Sequence, residues 1–340
     1  PLVDLAPWRQ SAVDWDATMA FRRHLWDLGF KIAEAMDTSQ RGMGLDWPGA
    51  RELIQRSHAE ARTISGADLA CGVGTDQLAP GGTIDDVRRA YEEQLESVEA
   101  AGGRAILMAS RALVRAARSA DDYLTLYGDL IRQAREPVIL HWLGDMFDPQ
   151  LAGYWGSTDL DAATATVLTL IREHAQRVDG IKISLLEETR EVELRRRLPP
   201  GVKMFTGDDF NYARLIEGDG EYHSHALLGI FDPIAPAATA ALQALGAGDR
   251  ERFRAVLEPT VPLSRKIFEA PTQYYKAGVV LLAWLNGHQS HFMMVGGLQS
   301  ARSALHYADV FRLADQAGLL TDPELASARM AGLMALHGIG

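Results

Sequence analysis

The chain has 340 residues, 47% hydrophobic and 23% charged, a globular composition with enough apolar surface for a large core. Its 34 basic and 45 acidic residues leave a net charge of −11, which argues against nucleic acid or an anionic membrane as partner, since both select for basic surfaces. Cys71 is the single cysteine, which excludes an internal disulfide and a cysteine-rich zinc site, so a reducing cytoplasm is the simplest compartment.

The chain begins at Pro1 rather than methionine, so further residues are expected before it. No apolar run reaches the roughly 18–20 residues that a membrane helix needs. In chain order, short apolar runs predict strands at 2–5, 30–36, 67–73, 104–109, 137–142, 180–184, 202–205 and 226–231. Between them, segments of helical period cover 15–28, 47–63, 83–101, 119–135 and 160–177. Ser119-Ala120-Asp121-Asp122 and Ser157-Thr158-Asp159-Leu160-Asp161 supply caps and first-turn acids. Eight strands alternating with helices close into an α/β fold, a (β/α)8 TIM barrel, whose active site lies at the C-terminal ends of the strands. The barrel is expected over residues 1–234. Residues 235–340, rich in Ala and Leu and without strand patterning, read as a C-terminal helical extension packed on it. Arg195-Arg196-Arg197 reads as a solvated helix end.

The segment 178–184 places Lys182 inside an apolar run. A lone ammonium in a buried strand is costly to desolvate, so such a lysine has a partner or a depressed pKa, and either state suits amine chemistry. As a nucleophile it would condense with a carbonyl, and the iminium so formed is an electron sink for cleavage, dehydration or proton abstraction. The competing reading is a strand-end lysine that reaches water or pairs with a carboxylate such as Asp208.

Gly180-Ile181-Lys182, on the sixth expected strand, resembles the segment that carries the Schiff-base lysine in the dihydrodipicolinate synthase and N-acetylneuraminate lyase superfamily of class I aldolases. Ala12-Val13-Asp14-Trp15 is similar to that family's approach to its first helix. Gly72-Val73-Gly74-Thr75 looks like the end of its third strand, and Thr206-Gly207-Asp208-Asp209 like the loop after its seventh. The collinear match spans roughly residues 10–290. It implies a barrel, a lyase or aldolase acting through Lys182 on a small 2-oxo acid or a sugar-derived carbonyl compound, no metal or other cofactor, and a homo-oligomer, dimer or tetramer.

The departures are specific. Where the family cradles a carboxylate with Gly-Thr-Thr-Gly, this chain has Asp37-Thr38-Ser39-Gln40, and an acid there repels a substrate carboxylate unless Arg41 compensates or Asp37 points away. The resemblance puts His141 where the family has a proton-relaying tyrosine. The arginine that dihydrodipicolinate synthases use for a second carboxylate is absent from 143–148. The chain is therefore expected to be a divergent branch and not dihydrodipicolinate synthase itself.

Lys182 and His141 are the expected catalytic residues, His141 as general acid or base because imidazole titrates near neutral pH; a histidine merely hydrogen-bonded inside the barrel competes equally. Thr38, Ser39, Asp37, Gly207 and Asp208 form the expected substrate-binding set, with helix capping as the competing role of the two hydroxyls. Glu34, Asp37, Asp76, Asp145, Asp208 and Asp209, with His223 and His225, gather near strand ends. They leave a second enzyme reading open: a metal-assisted or acid/base sugar isomerase, epimerase or dehydratase, whose divalent ion would be held by Glu34, His141 and Asp208. A third reading is a barrel that binds a metabolite without turnover. His288 and His291, three apart, read as one face of a packed helix, and Trp142, Trp155, Tyr274 and Tyr275 as core aromatics more than sugar platforms.

Overall fold

The computed structural model describes residue 6, residues 10–36 and residues 41–339. The chain forms two compact units, one of residues 31–37 and 46–227, the other of residues 1–30, 38–45 and 228–340.

The first unit holds the sheet. Its described strands are β1 (Ile32–Glu34), β2 (Leu69–Val73), β3 (Arg104–Leu107), β4 (Val138–Leu143), β5 (Val178–Ser184), β6 (Lys203–Thr206) and β7 (His225–Ala226). They pair in that order, every pair parallel, in one curled sheet. Parallel neighbours require crossovers, which the helices Trp47–Ala61, Ile84–Ala100, Ala120–Gln133, Leu160–Glu173 and Glu188–Arg197 supply. Every residue of β2 and β4 is buried, which is why those strands read as continuous apolar runs rather than alternating ones. The helices start where their caps say: Thr83 and Asp86 form a capping box, and the Asp159 carboxylate accepts the N–H groups of Asp161 and Ala162.

Strand alternation sorts side chains to two faces. Met36, Ala70, Ile106, Met108 and Ile139 form a buried cluster on one face, joined by Ala33, Phe205 and Leu227. Ile181 and Ile183 of β5 take the other parity and are buried against helices.

Seven of the eight expected strands are found among the described residues. The expected strand at 2–5 lies outside them, so Lys182 sits on the fifth described strand rather than the sixth. β1 stops at Glu34 because Ala35 turns into the left-handed region at φ 50°. The last strand is two residues rather than six. Beyond Ala226 one ladder bond remains, from Leu227 N–H to the Thr206 carbonyl at 3.2 Å, because β6 ends there and offers no further edge.

The second unit is helical among its described residues, with helices Trp15–Asp27, Ala235–Gly246, Arg250–Leu257, Val261–Ile267, Lys276–Leu285, Ala304–Gln316 and Pro323–Leu336. His288 and His291 do not share a helix face. The helix ends at Leu285, Gly287 turns at φ 82°, and Gly296 and Gly297 are also left-handed. His288 packs against His24 and Phe21, and the Nδ1 of His291 accepts the N–H of Met293. Tyr275 stacks on Phe268 with ring centroids 4.4 Å apart. No helix among the described residues is long and apolar enough to cross a membrane.

Candidate active site

β5 reads Val-Asp-Gly-Ile-Lys-Ile-Ser, and its period of two sends Gly180, Lys182 and Ser184 to the face opposite Ile181 and Ile183. In register, Lys182 lies beside His141 on β4 and Phe205 on β6, so the amine and the imidazole project from neighbouring strands on one face of the sheet. Lys182 is half-buried, while His141 and Ser184 are buried. The His141 Nε2 is 3.4 Å from Ser184 Oγ. Its Nδ1 is buried and has no hydrogen-bond partner among the described residues. Burial pushes His141 well below the usual imidazole range, and the positive charge of Lys182 pushes it further. His141 is therefore a neutral imidazole at neutral pH.

The strand ends are tied together around this pair. Gly144 N–H donates to the Ser184 carbonyl at 3.0 Å, and Gly207 N–H to the Ile183 carbonyl at 2.8 Å. Gly207 is required by the close approach: a Cβ there would overlap Ser184 Oγ and stand 2.6 Å from Lys182 Cε and 2.8 Å from the Ile183 oxygen. Thus Gly207 belongs to the wall against which the lysine stem rests. Asp208 next to it is buried, and its carboxylate accepts the N–H of Phe210 at 2.9 Å, the N–H of Asn211 at 3.0 Å and the Asn211 side-chain amide at 2.9 Å. Those three donors make Asp208 the organiser of the loop after β6.

The remaining expected residues fall as follows. Asp37, Thr38 and Ser39 lie outside the described residues. Glu34 takes the opposite face of the sheet from Lys182 and His141: Ser57 donates to its Oε2 at 2.6 Å and Ala35 N–H to its Oε1 at 3.1 Å. Glu34, His141 and Asp208 are not brought together, and among the described residues no group of three or more His, Cys, Asp or Glu side chains could hold a metal ion. His225 opens β7 in register with Phe205, which itself pairs Lys182; its ring lies 5.7 Å from that of Phe205 and 5.1 Å from that of His223. Trp142 and Trp155 are buried core residues.

Sequence reasoning missed Ser184, although period two from Lys182 already places it on the same face. It also missed Glu191 and Arg195, one helical turn apart on the helix Glu188–Arg197 and both buried. The basic run is split by the helix period: Arg195 donates to the Leu215 carbonyl at 3.1 Å and Ser224 Oγ at 3.2 Å, while Arg196 stays largely exposed.

The ends of β2 and β3 carry a different arrangement. Gln94 spans the loop after β2, accepting Gly74 N–H at 2.7 Å and donating to Asp76 and Gln77. Tyr91 donates to the Met108 carbonyl at 2.5 Å, the Tyr127 and Tyr154 hydroxyls are 2.6 Å apart, Tyr154 accepts Ser110 N–H at 3.0 Å, and Ser110 Oγ is 2.6 Å from Thr75 Oγ1. Burial raises Tyr91 to about 12 and holds Tyr127 and Tyr154 well above the usual phenol value, so all three stay protonated.

A curled, all-parallel sheet with helices as its crossovers defines a class of α/β folds, and solved structures of that class are similar to this chain. Dihydrodipicolinate synthase from Aquifex aeolicus matches with a TM-score of 0.70 at 14% identity, covering 93% of this chain and 97% of its own. YagE, a prophage protein of the dihydrodipicolinic acid synthase family from E. coli K12 in complex with pyruvate, matches with a TM-score of 0.71 at 13% identity, covering 91% and 94%. The chloride-inhibited dihydrodipicolinate synthase from Acinetobacter baumannii, complexed with pyruvate, gives 0.65 at 14% identity over 91% and 94%. At this identity the likeness shows the fold, that of the dihydrodipicolinate synthase barrels. No curated protein matches the chain. The family model described as "Protein of unknown function (DUF993)" matches residues 1–339, and the chain belongs to that family.

Proposed function

We propose that this protein is a lyase or aldolase that forms a Schiff base through Lys182 with a small 2-oxo acid or a sugar-derived carbonyl compound. The observation that carries the reading is the register pairing of Lys182 with a buried, neutral His141 on one face of the sheet. A neutral imidazole puts no second cation beside the amine and offers a ring nitrogen as hydrogen-bond acceptor through which a proton can be relayed. In the condensation, the Nζ lone pair forms the C–N bond, the carbonyl oxygen leaves as water after two proton transfers, and the iminium then draws electrons from the adjacent carbon. His141 shuttles those protons, with Ser184 Oγ on its Nε2 side. Two of the similar structures are described as pyruvate complexes, which supports a 2-oxo acid as the first compound to try.

The same reading takes Thr38, Ser39, Asp37, Gly207 and Asp208 as the substrate-binding set. It keeps residues 1–234 as the barrel and residues 235–340 as a C-terminal helical extension. The partner is a small molecule, the setting the cytoplasm, and the assembly a homo-oligomer.

The test is incubation with a panel of 2-oxo acids and keto sugars beginning with pyruvate, followed by borohydride and peptide mass spectrometry. A stable adduct on Lys182, absent without borohydride, is expected. Turnover of a panel member with no adduct on Lys182 would refute the imine, and loss of that turnover on chelation would move the assignment to the metal-assisted isomerase.

A further inference from the structure

On the other face of the sheet, behind the Lys182 wall, a buried carboxyl has no place in the chemistry just described. Glu191 is 1% exposed, and its Oε2 accepts a hydrogen bond from Thr206 Oγ1 at 3.0 Å. Thr206 Oγ1 in turn accepts the N–H of Asp208 at 3.1 Å. Between Thr206 and Asp208 stands Gly207, which takes the opposite parity and rests against Lys182 Cε and Ser184 Oγ. Three consecutive residues thus connect a carboxyl on the outer face with the amine on the inner one.

We propose that Glu191 is a positioning residue for the Lys182 amine: acting through Thr206, it sets the seat of Gly207 under the lysine stem, and its charge state tunes how readily that amine reacts. The inference rests on Lys182 being the functional amine, but not on any particular substrate.

The chain of hydrogen bonds explains the transmission. A carboxylate accepts from a hydroxyl more strongly than a neutral carboxyl does, so ionisation draws the Thr206 hydroxyl toward Glu191 and takes the Asp208 N–H and the Gly207 turn with it. Gly207 has no slack, because its Cα face already touches the lysine stem. The charged groups facing Glu191 are Arg195, one turn along its own helix, and Asp208 from the loop after β6; Asp219, from the loop before β7, is paired with Arg195 at 3.3 Å. Burial pushes the Glu191 carboxyl up to about 7, with Asp208 adding to the rise against the pull of Arg195 and of the Ser224 and Thr206 hydroxyls. The switch therefore falls at physiological pH.

The test measures the rate at which Lys182 is methylated by formaldehyde and cyanoborohydride across the range pH 5 to 9, by peptide mass spectrometry, in the whole protein. Wild type is expected to show a break near pH 7 superposed on the lysine's own titration. Glu191→Gln, which keeps an acceptor for Thr206 but cannot ionise, is expected to lose the break. Thr206→Val, which cuts the connection and leaves Glu191 in place, is expected to lose it as well. Glu191→Leu removes the acceptor and is expected to slow labelling by about tenfold at every pH, since small displacements of a reacting group carry penalties of this order. A break that persists in both the Gln and the Val variants overturns the proposal. A break lost in Glu191→Gln but kept in Thr206→Val also overturns it, because the carboxyl would then act through its field and not through Thr206. Should the Leu variant fail to fold by near-ultraviolet circular dichroism, the isosteric Gln and Val variants still decide. Formaldehyde labelling needs no substrate, so a missing pyruvate adduct refutes the imine reading without touching this result.

Discussion

The strand ends of β2 and β3 and those of β4 to β6 use similar residue types and finish differently. At β2 and β3, Tyr91, Tyr127, Tyr154, Ser110, Thr75 and Gln94 hand hydrogen bonds to one another and to the backbone, all between 2.5 and 3.4 Å. At β4 to β6, His141 Nδ1 and Glu191 Oε1 are buried without a hydrogen bond of good geometry among the described residues, the Ser224 hydroxyl standing only near Glu191. A buried polar atom left unsatisfied costs about 1–3 kcal/mol, so selection for stability alone would produce the first arrangement twice. Trp155 Nε1, packed on Tyr127 and Tyr154, is also unsatisfied, so the contrast is one of ionisable groups: within the sheet unit, His141, Glu191 and Arg195, each with an unsatisfied buried atom, lie in the half that holds Lys182.

The largest test of this contrast is removal of the amine. Lys182→Met is expected to abolish the borohydride-dependent adduct and any turnover, while the melting temperature stays close to that of wild type, because the ammonium end of a half-buried lysine contributes little packing. Retained turnover in the Met variant would move the chemistry elsewhere. Next comes Gly207→Ala. The added methyl must displace Ser184 Oγ or the Lys182 stem, which predicts adduct formation slower by about a hundredfold. Overpacking at a tied strand end is expected to cost about 1–3 kcal/mol of stability as well. Stability and adduct rates both equal to wild type would show that the loop after β6 yields freely.

These residues also show what a single sequence makes legible. Lys182 and its strand could be read because an ammonium in an apolar run is a local anomaly, whereas His141 could be read only from the family resemblance that sets it in a tyrosine's place. Ser184 needed only the strand period. Glu191 and Arg195 were hidden, because a charged helix such as Glu188–Arg197 reads as solvent-facing and only the packing of the Leu215 carbonyl and Ser224 against it shows which turn is buried. The tyrosine network was equally hidden: Tyr91, Tyr127 and Tyr154 come from three separate segments, and nothing local announces that their hydroxyls meet. The two-residue β7 depended on where β6 stops, a tertiary fact.

A third prediction concerns stability against pH. The unfolded Glu191 titrates near 4.5 and the folded one near 7, so its neutral form is the one the fold favours. Its contribution is fully present below pH 4.5 and is lost as pH rises through 7, by about 3 kcal/mol for a shift of this size. Urea unfolding at pH 5 and pH 8 should therefore show wild type losing more stability over that interval than Glu191→Gln, with the difference approaching that amount. Parallel pH dependences in the two proteins would place the ionisation of Glu191 outside this range.

The smallest effect is expected on the saturated side, and it is the control that gives the contrast its meaning. Tyr127 stands at the centre of the hydroxyl network, 2.6 Å from the Tyr154 oxygen and 3.3 Å from that of Tyr91. Tyr127→Phe removes one hydroxyl and leaves its neighbours partly satisfied, since Tyr91 keeps the Met108 carbonyl and Tyr154 keeps the Ser110 N–H. The loss should be about 1–2 kcal/mol of unfolding free energy. Because burial keeps these phenols protonated well past neutral pH, the cost should be the same at pH 5 and pH 8. Labelling of Lys182 should be unaffected in rate and in pH profile. A change in that profile would mean that the tyrosine network reaches the amine, and the contrast between the two halves of the sheet would fall.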